Sequence, residues 1–192
     1  MKHQILSIAV CSVAATNALA DLSLTINSLT ANDFSFTVSG TFDSDVGGDQ
    51  RTWLAVKPNW STNFGVNVPW IDDSVGFTDL GDTAFTINEN SILINGLVPT
   101  QSIVAASGQE WGDSFYFDAG VDITAGMTVS GTLSVSLGGV FDSSLSASDF
   151  ELLSGFDNTA SDWYRQEAVA PAPMTASLLA LGGVCAIGRR RR

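Results

Sequence analysis

The chain has 192 residues, 45% of them hydrophobic, with 8 basic and 20 acidic side chains and a net charge of −12. That length accommodates one domain of ordinary size and excludes a large multidomain enzyme. His3 is the lone histidine, and Cys11 and Cys185 are the only cysteines. The long stretch between the two ends therefore has no imidazole or thiol, which excludes Ser/His/Asp and Cys/His catalysis and the usual zinc sites there.

At the N-terminus, Met1-Lys2-His3-Gln4 is a short basic region, residues 5–15 are apolar, and Ala18-Leu19-Ala20 has the small-x-small pattern of a cleavage site. This order predicts a secretory signal peptide over residues 1–20, cut after Ala20, and an exported mature chain beginning at Asp21. Between the signal and the tail, three bases, Arg51, Lys57 and Arg165, face all 20 acids, a difference of −17. Nucleic acid is excluded as a partner, because phosphate binding needs a basic patch.

The predicted elements that follow are strands. In Leu22-Ser23-Leu24-Thr25-Ile26-Asn27 every second side chain is aliphatic, and Phe34-Ser35-Phe36-Thr37-Val38 repeats the pattern after a turn at residues 30–33. One face of each strand is expected to be buried. Further runs fall at 52–56, 84–87, 91–97, 102–106, 114–117, 127–137 and 150–153, separated by Gly47-Gly48, Asn95-Gly96, Ala125-Gly126 and Gly138-Gly139. No helical stripe and no fixed-period repeat competes with them. Eight or nine strands over residues 21–157 predict an all-β domain, an antiparallel β-sandwich.

The first acidic loop is Asp43-Ser44-Asp45-Val46-Gly47-Gly48-Asp49. Asp43 and Asp45 fit positions one and three of a calcium loop and Gly48 fits position six, while Leu54 stands where the bidentate Glu belongs. Asp43, Asp45 and Asp49 are thus candidate Ca²⁺ ligands in an otherwise cofactor-free domain, and an acidic hairpin turn is the alternative. Asp72-Asp73, and Asp79 with Asp82, carry a weaker form of the same pattern. Five tryptophans are many for this length. Trp53 alternates into the predicted core, whereas Trp60, Trp70 and Trp111 lie in loop-like sequence and are candidates for a flat platform on which sugar rings stack. The glutamates, Glu89, Glu110, Glu151 and Glu167, sit in no hydrolase motif, and no enzymatic activity is expected; a glycosidase would need two carboxyls paired across a cleft.

Ile94-Asn95-Gly96-Leu97-Val98-Pro99 resembles the Leu-x-Pro crossing of fibronectin type III and immunoglobulin-like modules, with Ile103 where the corner Tyr of those modules stands. A jelly roll is the rival layout. The alternation of 127–137 runs through Gly131, where a bulge or bend is expected, and makes this the longest predicted strand. Residues 158–170 lose apolar alternation and predict a linker, with Trp163-Tyr164 packing back on the domain as the alternative.

The chain ends on Ala170-Pro171-Ala172-Pro173, an uncharged run over 174–188, and Arg189-Arg190-Arg191-Arg192. Fifteen helical residues reach about 22 Å, short of the roughly 30 Å hydrocarbon core. The arginines are expected to stay cytoplasmic. Prolines, a short apolar helix and terminal arginines in this order resemble the PEP-CTERM sorting signal of exported bacterial proteins, with Pro171-Ala172-Pro173 in place of Pro-Glu-Pro. The resemblance covers residues 171–192 and implies recognition by an exosortase-type membrane enzyme, transient anchoring by the helix, and association with an extracellular matrix. A plain tail anchor is the alternative. The expected function is a non-enzymatic structural or adhesive role at the envelope, the surface or outside the cell, with polysaccharide as a candidate partner. An extracellular carbohydrate-binding module is the rival.

Overall fold

A computed structural model describes residues 22–58, 70–106, 113–157 and 162–171. Among these the fold is all β, with antiparallel pairing and only short 3₁₀ turns besides strands. In chain order the strands are β1 (Ser23–Leu29), β2 (Asp33–Thr41), β3 (Trp53–Pro58), β4 (Gly76–Asp79), β5 (Thr86–Asn90), β6 (Leu93–Ile94), β7 (Gln101–Ala106), β8 (Ser114–Asp118), β9 (Thr128–Ser136), β10 (Phe150–Asp157) and β11 (Asp162–Val169). One sheet runs β1-β2-β9-β5, with β6 also paired to β9, and the other runs β11-β10-β3-β8-β7-β4.

The two sheets differ in how they bury their strands, and the difference was written in their sequences. β1, β2 and β9 alternate, placing Leu24, Phe34, Phe36, Val38, Val129, Leu133 and Val135 in the core and their Ser and Thr neighbours outside. Leu54, Val56, Phe115, Phe117, Phe150 and Leu152 of the six-stranded sheet enter the same cluster from the opposite side. Phe34 is its hub, with ring centroids 4.7 Å from Trp70, 5.2 Å from Phe150 and 5.6 Å from Phe115. The six-stranded sheet is also apolar on its other face, where Ala55, Ile103, Ala105, Tyr116, Leu153, Phe156 and Trp163 form a second cluster. The expectation of one buried face per strand therefore fails for β3, β8 and β10. Strands covered on both sides have no solvent face to keep polar, and they read as continuous apolar runs.

The other departures have local causes. The segment read as a linker, 158–170, contains β11, so the domain extends past residue 157 to Ala170, whose N–H donates to Phe150 O at 2.9 Å. A register shift opposite Leu152 and Leu153 breaks the alternation of this edge strand, and two of its residues, Arg165 and Glu167, form an ion pair. Trp163 packs back on the domain, stacked 5.6 Å from Tyr116. β4 escaped notice because it is four residues long and lies at a sheet edge. The run 91–97 is no single strand. Asn95 and Gly96 have φ of 51° and 74°, and Ile94 and Leu97 exchange backbone hydrogen bonds of 2.9 and 3.0 Å, the geometry of a two-residue hairpin turn.

At Gly131 the pairing of β9 with β2 continues without a shift, so no bulge forms between them. Its φ is 127°, and a Cβ there would lie 2.1 Å from Ser91 O, because the connection from β5 to β6 presses against β9 at that point. Backbone occupies the space, so no rotamer change relieves the clash. Gly131→Ala is expected to destabilise the fold by about 3 kcal/mol or more, measured as a fall in the urea midpoint. An unchanged midpoint would mean that the β5–β6 connection can move away.

Candidate functional site

The acidic loop does not assemble a calcium site. Asp43 Oδ1 accepts from Arg165 Nη1 at 2.8 Å and from Ser44 Oγ at 3.1 Å. Asp45 Oδ1 accepts the Ala125 N–H at 3.0 Å, and Asp49 lies exposed. Among the described residues no three acidic, His or Cys side chains converge on a point that could hold a metal. The physical reason is Arg165, which reaches over from β11 and supplies the positive charge a cation would have brought. The same guanidinium clasps Glu167, Nε to Oε1 at 2.8 Å and Nη2 to Oε2 at 2.7 Å. The Ser44 hydroxyl, followed by Arg165, holds the Asp43 carboxyl below its ordinary pKa.

Trp70 is no sugar platform. It is 1% exposed, its ring packs against Phe34, Phe141 and Phe150, and its Nε1 donates to Asp113 O at 2.7 Å. Trp60 and Trp111 lie outside the described residues, as do Ala18, Ala20, Ala172, Pro173 and Arg189, Arg190, Arg191 and Arg192. Pro171 is described and exposed. Trp53, read as core, is half-buried against the second cluster and donates Nε1 to Gln50 Oε1 at 3.2 Å. Among the described residues no helix is long and apolar enough to cross a membrane.

A shallow cleft of about 350 Å³ opens where Ile71 bridges Phe141, and Asp72, Asp73, Val140 and Asp142 line it. Its carboxylates serve turns. Asp72 accepts the Ser74 N–H at 2.9 Å and Asp142 the Ser144 N–H at 2.8 Å. Hydrogen bonding to those serines lowers both pKa values, so both stay ionised as turn caps.

Two arrangements that sequence reading passed over stand out. The first is the outward face of the five-stranded sheet. Antiparallel register sets Ser23, Ser39 and Ser130 in one row and Thr25, Thr37 and Thr132 in the next, followed by Ser35 with Ser134 and Asp33 with Ser136. Rows two residues apart along a strand are about 7 Å apart, and neighbouring strands about 4.8 Å. Ser23 and Ser39 hydroxyls meet at 2.8 Å, Thr37 and Thr132 at 2.9 Å, and Asn27 Nδ2 donates to Thr37 Oγ1 at 2.9 Å. β1, β2 and β9 together carry one charged side chain, Asp33, at the rim of this face. With Glu89 of β5 beside Ser134 and Asp33 beside Ser136, the charges lie in the last two rows, and the Ser23 and Thr25 rows can exchange hydrogen bonds with a neutral polyol without desolvating charge. The strand periods contained this face, but only the register lined the rows up.

The second arrangement is buried. Lys57 is 2% exposed, Glu151 2%, Asp113 1% and Ser114 0%. Glu151 is the direct register partner of Lys57 across β10 and β3. Continuing the β3–β8 pairing one step past Val56 and Phe115 brings Ser114 beside Lys57, with Asp113 next to it. Burial pulls the Lys57 pKa down to about 8 against the pull of Glu151 and Asp113, and burial likewise raises that of Tyr116. Asp113 Oδ2 accepts two backbone N–H groups, from Trp70 at 2.8 Å and Ile71 at 3.0 Å. Sequence offered no signal for this cluster beyond a lone lysine in an apolar strand.

No protein-family model, no curated protein and no solved structure matches the chain.

Proposed function

We propose that the protein is an exported, non-enzymatic β-sandwich with a structural or adhesive role in an extracellular polysaccharide matrix, and that the hydroxyl grid of the five-stranded sheet is its contact surface. The observation that carries the reading is how few charges that face bears, Asp33 and the Glu89 paired with Ser134, in a domain with three bases against 20 acids. A neutral polysaccharide offers the matching chemistry: many hydroxyls, no charge and an extended shape that meets several rows at once. Each contact is weak, and retention comes from their number. The two sheets meeting in one core support the sandwich assignment.

Delivery is the other half of the proposal. The signal-like start and the tail resembling PEP-CTERM support passage through the secretion machinery, transient anchoring by the 174–188 segment, and handling by an exosortase-type enzyme. Fractionating the source cells and measuring the mass of the chain found outside tests this half. A chain recovered intact from the cytosol overturns it.

Binding is tested on the full chain with columns of neutral and acidic insoluble polysaccharide. Thr25 and Ser130 are exposed on the grid. The double substitution Thr25→Glu, Ser130→Glu places charge there and is expected to change stability by no more than about 1 kcal/mol while reducing retention at least tenfold. If it leaves retention intact and Trp60→Ala or Trp111→Ala removes it, the protein is instead a carbohydrate-binding module working through its indoles.

A further inference from the structure

Among the described residues the strand ladders slip at three places, and all three are on strands at the sheet edges: β1, β5 and β11. The inner pairings, β2 with β9, β3 with β8 and with β10, and β7 with β8, run without a slip. At each slip the edge strand holds one residue more than its neighbour: Asn27 between Ile26 and Ser28, Asn88 between Ile87 and Glu89, and Glu167 between Gln166 and Ala168. Each extra residue bonds to a hydroxyl on the strand just inside it. Asn27 Nδ2 donates to Thr37 Oγ1 at 2.9 Å, Asn88 Nδ2 donates to Ser136 Oγ at 2.6 Å, and Glu167 Oε1 accepts from Ser154 Oγ. The other strands with a single partner, β4 with four residues and β6 with two, offer few rungs in any case.

Core packing does not call for the extra residues on β1 and β5. Asn27 and Asn88 are exposed. With Asn27 removed, Ile26–Phe36 and Ser28–Ser35 become consecutive rungs of a regular antiparallel ladder, and with Asn88 removed so do Ile87–Val135 and Glu89–Ser134, every side chain keeping its present face. A bulge leaves backbone groups unpaired and bends its strand, so its gain lies elsewhere than in the ladder it interrupts.

We propose that the three bulges are stops that close these edges to an added strand, and so prevent copies of the protein from joining edge to edge. β1 shows the need. Ser23–Leu29 has no charge and no proline and alternates aliphatic with polar side chains, and an uninterrupted edge strand of that kind pairs readily with another chain. A bulge turns the N–H and C=O groups on its two sides out of line, so a straight incoming strand matches the rungs before it or those after it but not both. β5 is thereby cut into Thr86-Ile87 and Glu89-Asn90, each shorter than an ordinary strand. The inward hydrogen bond of the extra side chain opposes straightening, since flattening β5 would break the bond from Asn88 to Ser136. On β11 the stop is a carboxylate, Glu167, whose side chain is 5% exposed and paired with Arg165. The inference concerns the edges and stands apart from the polysaccharide reading of the sheet face.

The test is sedimentation of the full chain over a wide range of concentration, in a mild detergent that covers the apolar 174–188 segment, with amide hydrogen exchange read on the same samples. Wild-type protein is expected to sediment as a single chain throughout. Deletion of Asn27 or of Asn88 is expected to leave the β circular dichroism spectrum unchanged, to strengthen self-association at least tenfold, and to bring new amide protection along β1 or β5 respectively. The two deletions open different edges, so one folded variant decides the matter. Folded deletion variants that remain single chains overturn the proposal. Wild-type protein that associates with protection gained along β1, β5 or β11 overturns it as well, whatever the variants do.

Discussion

Trp70→Ala is expected to cost about 3–5 kcal/mol of stability and to leave polysaccharide retention per folded molecule unchanged. The indole fills the space between Phe34, Phe141 and Phe150, with centroids at 4.7, 5.7 and 5.0 Å. Removing it opens a cavity against side chains already locked by one another, so the gap cannot collapse. It also strips Asp113 O of the Nε1 donor at 2.7 Å, leaving a buried carbonyl short of a partner. Urea melts followed by circular dichroism give the stability, and the polysaccharide columns give the retention. A variant of wild-type stability that no longer binds would return Trp70 to the role of sugar platform.

Arg165→Met is expected to cost about 3 kcal/mol, because it strands the Glu167 carboxylate. The Glu167 side chain is 5% exposed and receives two of the guanidinium's hydrogen bonds, besides one from the buried Ser154 hydroxyl. Asp43, at the other end of the network, has a side chain 52% exposed. Its pair is screened by water, and Asp43→Asn should cost far less than Arg165→Met. A comparison of the two variants in one buffer decides the point: equal losses would mean that the acidic loop, and not β11, is what Arg165 holds.

The acid limb of stability follows from the same groups. Asp43, Asp72 and Asp142 all titrate below their ordinary value of 3.8, through hydrogen bonds from Ser44, Ser74 and Ser144 and, for Asp43, the charge of Arg165. A carboxyl whose folded pKa is depressed stabilises the fold above the unfolded value, and that contribution disappears as pH falls through the folded one. Stability should therefore decline as pH drops below 3.8, and the Asp43→Asn variant should decline less than the wild type. An identical acid profile for the two proteins would count against Asp43 as a contributor.

Much of the architecture was legible in the chain because side-chain period reports directly on burial. Wherever a strand has one wet face, as in β1, β2 and β9, the period of two names both its existence and its core residues. The signal fades for β4, four residues on an edge, and for β11, whose polar positions are occupied by an ion-pair network and a register shift. Gly131 was marked as unusual by its place inside an alternating run. Sequence could not say that the cause was the β5–β6 connection pressing on β9 and not a bulge, because that connection is distant in sequence.

By itself the sequence determined an acidic, cysteine-free, all-β middle with antiparallel strands and tight glycine turns, since these depend on composition and local period alone. Only the tertiary structure decided the chemistry. Arg165 reached over to Asp43, Trp70 went inside, the hydroxyls of β1, β2 and β9 fell into rows, and Lys57 met Glu151 across β3 and β10. Each of these joins residues from separate strands, and which strands become neighbours is set by how two sheets bury their apolar faces together, a property that no window of local sequence contains.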